Sequence, residues 1–200
     1  MKKTIYFITA TNTDVGKSYA CEVLLKKFSN NGEKVGYYKP IETGVLNKPL
    51  DGTKLLDITQ KLNTNYKVTI DDVVPYQFKL PAAPFVAKGK TEIDINFIKE
   101  RANYLLNFCD TLIIEGAGGL MVPIEKDYFI IDLIKEFDCK TILISPSNLG
   151  SINDTMLSQA ALNSYNIDFK WYINLYKDKE SFKTVTLPFY EKYFEKIEYL

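Results

Sequence analysis

The sequence predicts an α/β fold, a mostly parallel β-sheet flanked by helices on both faces. Three observations predict it. Short β-rich apolar runs recur along the chain, each bounded by turn residues. Segments with helical spacing separate them, so strands and helices alternate. The composition never breaks: the 200 residues hold no linker, internal repeat or low-complexity tract, so residues 1–200 read as a single domain.

Each element has its own warrant. Residues 4–10 (TIYFITA) form the first strand, of the buried parallel type. A helix follows over 18–29, where Ala20, Val23, Leu24, Lys27 and Phe28 share a face, and Asn30, Asn31 and Gly32 end it. Residues 35–39 are the second strand, stopped by Pro40. A loop runs to about Pro49, and a helix covers 52–62. Residues 66–88 hold Pro75, Pro81 and Pro84 with no clean period, and read as irregular with one short strand. Helical spacing returns over 94–108 through Ile95, Ile98, Ala102, Leu105 and Leu106. Residues 111–115 (TLIIE) are a compact strand, with a glycine-rich turn after it at Gly116, Gly118 and Gly119. Residues 129–137 read as helix, 141–145 as strand, 151–165 as helix and 169–174 as strand. The tail, 177–200, is charged and aromatic, with a helix near 189–196. Ligands of open α/β sheets sit beyond the carboxyl ends of the strands. The segments after Thr9, at Lys39, at Glu115 and after Ser145 should therefore share one edge.

Composition narrows the chemistry. Twenty-five basic and twenty-five acidic residues cancel, which excludes a strongly basic nucleic-acid binder. There is no histidine, so a histidine triad, a histidine-ligated zinc and an imidazole proton shuttle are all excluded. Acid–base work falls to carboxylates, lysines, tyrosines or the substrate. Arg101 is the single arginine, so phosphate recognition rests on lysine and backbone amides. Cys21, Cys109 and Cys139 form no CxxC and read as small buried hydrophobes in a reducing compartment. The apolar stretch 5–8 is too short for a signal peptide, and no run approaches the ~20 apolar residues of a membrane span. A soluble cytoplasmic protein with no membrane or nucleic-acid partner is expected.

The strongest motif is Ala10-Thr-Asn-Thr-Asp-Val-Gly16-Lys17-Ser18, set between a strand and a helix. It has every element of G-x-x-x-x-G-K-[ST] except the first glycine, which is Ala10. In such a P-loop, backbone N–H groups cradle phosphate oxygens, the lysine reaches the β- and γ-phosphates, and the hydroxyl of Ser18 is placed for Mg²⁺. Glu115, a carboxylate ending an apolar strand, matches the second nucleotide-binding motif, whose acid holds the metal. Lys39 ends a strand at the same edge.

Together these segments resemble the dethiobiotin synthetase family. The resemblance rests on the phosphate loop, on Tyr38-Lys39-Pro40 followed by Thr43-Gly44, on Glu115-Gly116-Ala117-Gly118-Gly119, and on Asn148-Leu149-Gly150-Ser151-Ile152-Asn153, in order across residues 4–176. Ala10 stands where the family has glycine, Asp14 where a longer acid is common, and Leu175 follows Asn174 where aspartate is common, which argues for a looser choice of purine. The resemblance implies MgATP-dependent closure of a cyclic urea from 7,8-diaminononanoate and CO₂, by way of a carbamate and a carbamic–phosphoric anhydride, with no enzyme nucleophile. It implies Lys17, Lys39, Thr13 and Asp14 as catalytic residues. It implies Asp14, Val15, Gly16, Lys17, Ser18, Tyr19, Asp51, Glu115, Gly116, Ala117, Gly118 and Asn174 around the nucleotide. Thr13, Lys39, Thr43, Gly150 and Asn153 fall to the substrate, the last two across a homodimer. Ser18 and Glu115 would hold Mg²⁺ with an acid after Lys39, either Asp51, favoured by spacing, or Asp57. A partitioning-type ATPase switch is the competing reading. Those proteins place a second lysine early in the loop, where this chain has Ala10, Thr11 and Asn12. A ligase with an attached glutaminase would need a histidine that the chain lacks.

Overall fold

The computed structural model describes residues 3–176 and 179–200. β1 (Thr4–Ala10) leads into α1 (Lys17–Asn30), β2 (Val35–Tyr38) and a short β3 (Ile41–Thr43). Next come α2 (Leu50–Leu62), a single turn α3 (Ile70–Val73), β4 (Tyr76–Phe78), a second single turn α4 (Pro84–Ala87) and α5 (Ile95–Leu105). β5 (Thr111–Gly119), β6 (Pro123–Glu125), β7 (Tyr128–Phe129), α6 (Ile130–Lys135), β8 (Cys139–Pro146), α7 (Ser151–Ser164) and β9 (Phe169–Asn174) follow. A helical run closes the chain: α8 (Lys179–Ser181), a π-helical stretch (Phe182–Thr186) and α9 (Leu187–Tyr193).

Five strands form the central sheet in the order β2-β5-β1-β8-β9, and every neighbouring pair is parallel. Residues 35–38 and 111–116 are each buried without interruption. Side chains alternate between faces along a strand, so continuous burial means that both faces are covered. This is the α/β class that the alternation of elements predicts. Phe7, Ile8, Leu112, Ile114, Leu143 and Ile144 are all fully buried at its centre. At the β9 edge the chain terminus returns: Ile173 donates its N–H to Glu198 and accepts that of Leu200, which satisfies an otherwise open strand.

The register positions the chemistry. Tyr38 lies opposite Ile114, and Ile8 opposite Glu115, so Lys39 and the end of β1 arrive beside Glu115 at the carboxyl edge. The glycine-rich segment is not the turn expected from its composition. It continues β5, with a bulge: Ile8 pairs with Glu115 and Ala10 with Gly119, so Gly116, Ala117 and Gly118 are opposed by Thr9 alone.

Other expectations shift in informative ways. The buried face of α1 runs through Ala20, Cys21, Leu24 and Leu25, while Lys27 is exposed and Val23 only half-buried. Cys21 behaves as a core residue, which turns the buried stripe toward the sheet. Phe28 stays on it, stacked on Tyr6 at 4.7 Å. α2 begins at Leu50, two residues early. The loop before it contains β3, which pairs in parallel with β4 in the region read as irregular. The β6–β7 hairpin falls in a segment given no element. The last helical run starts at Lys179, ten residues before the expected helix. Residues 177 and 178, in the charged tail, lie outside the described residues.

Candidate active site

Thr11 to Gly16 bridge β1 and α1, and Lys17 opens the helix. Ala10 is fully buried and is not among the residues of positive φ, so its methyl group is accommodated. Gly16 is the demanding position: its φ is 100°, and a Cβ there would come within 2.1 Å of Asn174 Nδ2. That same Nδ2 donates to the Val15 carbonyl at 3.0 Å, and the Tyr176 hydroxyl donates to the Asp14 carbonyl at 2.6 Å. The loop is thus braced from the end of β9. Lys17 folds back to donate to its own loop, at the Asn12 carbonyl, 3.0 Å away. Burial pushes its pKa down to about 8, against the attraction of Glu115.

Five side chains, from α1, α2, β5 and the end of β2, meet beside this loop. Glu115 Oε1 accepts from Ser18 Oγ at 2.8 Å and from Lys39 Nζ at 3.0 Å. Glu115 Oε2 accepts from the Tyr37 hydroxyl at 2.7 Å. Lys39 Nζ also reaches Asp51 Oδ2 at 2.6 Å. Burial alone would discharge Lys39, but the charges of Glu115, Asp51 and Glu42 outweigh it and raise its pKa. Burial likewise works against the Asp51 carboxylate, yet Lys39, with a contact from Ser18, holds its pKa below the ordinary value. Glu42 is raised by burial.

Lys17, Ser18, Lys39, Glu42, Asp51 and Glu115 line a cleft of about 930 Å³ at the carboxyl edge, while Tyr37 is buried outside its lining. Thr13, Asp14, Gly16, Lys17, Ser18, Lys39, Thr43, Asp51, Glu115, Gly116, Ala117 and Gly118 are all in its wall. Asp51 and not Asp57 reaches Lys39; Asp57 is exposed farther along α2 and outside the lining. Val15, Tyr19 and Asn174 stand behind or beside the loop and do not line the cleft. Gly150 and Asn153, exposed at the start of α7, are also outside it. Sequence reasoning missed Glu42, in a three-residue strand, and Tyr37, whose place in a buried strand gives no sign that its hydroxyl meets Glu115. The lining also includes an apolar set: Ile41, Leu50, Pro81, Ala82, Pro84 and Val122.

Among the described residues no group of three or more His, Cys, Asp or Glu side chains is arranged to hold a metal ion. Ser18, Asp51 and Glu115 nonetheless form a hard-oxygen set whose two carboxylates already converge on one cation, the Lys39 ammonium. Two carboxylates and a hydroxyl, with phosphates completing the shell, fit Mg²⁺.

A family model described as an AAA domain matches residues 4–175. The ATP-dependent dethiobiotin synthetase BioD of Sulfurovum sp. is 50% identical over 189 residues, covering 94% of this chain and 90% of that protein. The chain belongs to the dethiobiotin synthetase family. The dethiobiotin synthetase of Wolinella succinogenes is 35% identical over 189 residues, covering 93% of this chain and 88% of its own. Among solved structures, a plasmid partition protein of Borrelia burgdorferi bound to AMPPNP superposes with a TM-score of 0.62 at 17% identity, covering 100% of this chain and 86% of that one. The MinD cell division protein of Aquifex aeolicus gives 0.55 at 18% identity, over 94% and 77%. These two likenesses share the fold alone, and the partitioning-type reading is not favoured over dethiobiotin synthetase.

Proposed function

We propose that this dethiobiotin synthetase family member carboxylates and cyclises 7,8-diaminononanoate with CO₂ and MgATP. One observation carries the assignment of roles: Lys39 joins the phosphate-loop cluster to the cleft, bonded to Asp51 and Glu115 beside Ser18. One amine of the substrate adds to CO₂ and loses a proton, giving a carbamate. A carbamate oxygen attacks the γ-phosphorus and ADP leaves. The second amine then attacks the carbonyl carbon of the mixed anhydride, and phosphate departs as the urea ring closes. Lys17 follows the phosphates through transfer. Lys39 neutralises the carbamate and the charge that develops on the moving phosphoryl group. Thr13, Asp14 and Thr43 orient the diamine end, and the apolar set takes the hydrocarbon chain. Ser18, Asp51 and Glu115 would hold Mg²⁺, and a bound ion would supply neutralisation of phosphate charge. The reaction so written needs no nucleophile from the protein.

A homodimer belongs to the same reading. Gly150 and Asn153 are exposed and outside the cleft of their own chain, and Leu149 and Leu157 beside them are 78% and 63% exposed. A second copy on this face gives those residues a substrate tail to meet. A cytoplasmic setting agrees with three free cysteines, and no helix among the described residues is long and apolar enough to cross a membrane.

The test is a product assay by mass spectrometry, combining the protein with MgATP, bicarbonate and 7,8-diaminononanoate, with each component omitted in turn. A cyclic urea that needs all of them is expected. Nucleotide hydrolysis indifferent to the diamine would defeat the proposal. A parallel series of nucleotides reads how loosely the base is held.

A further inference from the structure

β3 carries Glu42 to the wall of the cleft, where its side chain is buried. One of its carboxylate oxygens accepts the backbone N–H of Asp51 at 3.2 Å, and the other accepts that of Gly52 at 2.9 Å. These amides open α2, and a helix leaves its first four N–H groups without an internal acceptor. The usual remedy is a polar side chain just before the helix. Here that residue is Pro49, and it makes no side-chain cap. Glu42 caps the helix instead, from a separate strand nine and ten residues back. The arrangement requires a small residue at position 52. A Cβ on Gly52 would lie 3.2 Å from Glu42 Oε2 and 2.3 Å from Val74 Cγ2. The residue so held is Asp51, whose carboxylate reaches Lys39 Nζ.

We propose that Glu42 is a positioning residue for the metal site. It fixes the first turn of α2 and thereby aims the Asp51 carboxylate at the point where Ser18, Lys39 and Glu115 meet. This inference rests on the reading of Asp51 as a metal ligand. A carboxylate suits the task, because it has an acceptor for each amide and its charge is favourable at a helix start. Glu42 acts through Asp51 and not as a ligand. Partners standing behind metal ligands contribute ~10–100-fold in affinity.

The experiment is a Mn²⁺ titration of the full chain with AMPPNP, followed by electron paramagnetic resonance. It compares wild type, Glu42→Ala, Asp51→Ala and the double variant, with melting temperatures beside them. Glu42→Ala is expected to weaken Mn²⁺ about tenfold or more. In the Asp51→Ala background the same change should cost nothing further, since the residue it positions is gone. Glu42→Gln keeps one acceptor for two amides and should fall between wild type and Ala; it carries the same cycle if Glu42→Ala does not fold. Additive losses would overturn the inference, because Glu42 would then act independently of Asp51. So would a lowered melting temperature with wild-type Mn²⁺ affinity, which would make Glu42 merely structural. An Asp51→Ala variant that binds Mn²⁺ normally would remove the metal reading itself, and the inference with it.

Discussion

Glu115 is 1% exposed, and its two oxygens take three donors: Ser18 and Lys39 on one, Tyr37 on the other. A buried carboxylate is stable only while it stays paired. Lys39→Ala should therefore do two things. Turnover should fall at least ~10²-fold through loss of charge stabilisation. The melting temperature should also fall, and added Mg²⁺ should raise it more in the variant than in wild type, because a cation then restores what the ammonium had balanced. Equal Mg²⁺ shifts in both proteins would separate Lys39 from the metal site. Tyr37→Phe leaves Glu115 Oε2 without its donor in a dry place, and a loss of ~1–3 kcal/mol in denaturant unfolding is expected. The cysteines behave oppositely to a reactive site. Burial pushes the Cys109 thiol up to about 12 and the Cys139 thiol up to about 11, and burial with Glu115 nearby raises Cys21 well above its usual value. An unfolded thiol titrates near ~8.5, so folding favours the protonated form. That stabilisation is intact below pH ~8.5 and is lost as pH rises toward the folded values. Native protein at pH 8 should react slowly with Ellman's reagent, and unfolded protein promptly at all three thiols. Fast native labelling would contradict the burial described.

At the scale of elements, legibility follows length and locality. β1, β8 and β9 were readable because runs of β-branched and aromatic residues announce buried strands wherever they sit. β3, β4, β6 and β7 were not, because two or three residues carry no period and become strands only by pairing across the fold. α2 begins at Leu50 because Glu42 caps it from another strand, a signal that no local window contains. The candidate site divides the same way. Lys17, Ser18, Lys39 and Glu115 lie in compact motifs at strand ends, whereas Tyr37 and Glu42 gain their roles only from neighbours distant in sequence. The start of α2 gives a sharp test. In Gly52→Ala the new methyl group meets the fully buried Val74, which has no room to yield. A destabilisation of ~1–3 kcal/mol is expected from such overpacking. It should appear in urea melts as a lower midpoint with unchanged slope. A stability equal to wild type would show that α2 shifts freely, and that its first turn is not the fixed platform described.

The molecule as a whole sends its chemistry to one edge of a parallel sheet. The phosphate loop, Lys39 and Glu115 come from three adjacent strands, β1, β2 and β5. The segment after β8 ends at the same edge, yet it places Gly150 and Asn153 outside the cleft and leaves Leu149 and Leu157 largely bare. Apolar side chains of that size, exposed together beside residues that match a family substrate segment, make sense when a second copy covers them. Sedimentation velocity should then show a dimer for the wild type. Leu157→Lys sets a charge into that interface without touching the cleft, and it should shift the protein toward monomer. In the monomer, AMPPNP should bind as before, because the phosphate loop and its brace from Asn174 and Tyr176 lie within one chain. Urea formation should fall, mainly through a raised KM for the diamine, because in the proposed dimer the residues that meet its tail come from the partner. A monomeric variant with wild-type KM would confine the substrate site to one chain and leave Gly150 and Asn153 without a part in it. A variant that stays dimeric would place the interface on another face.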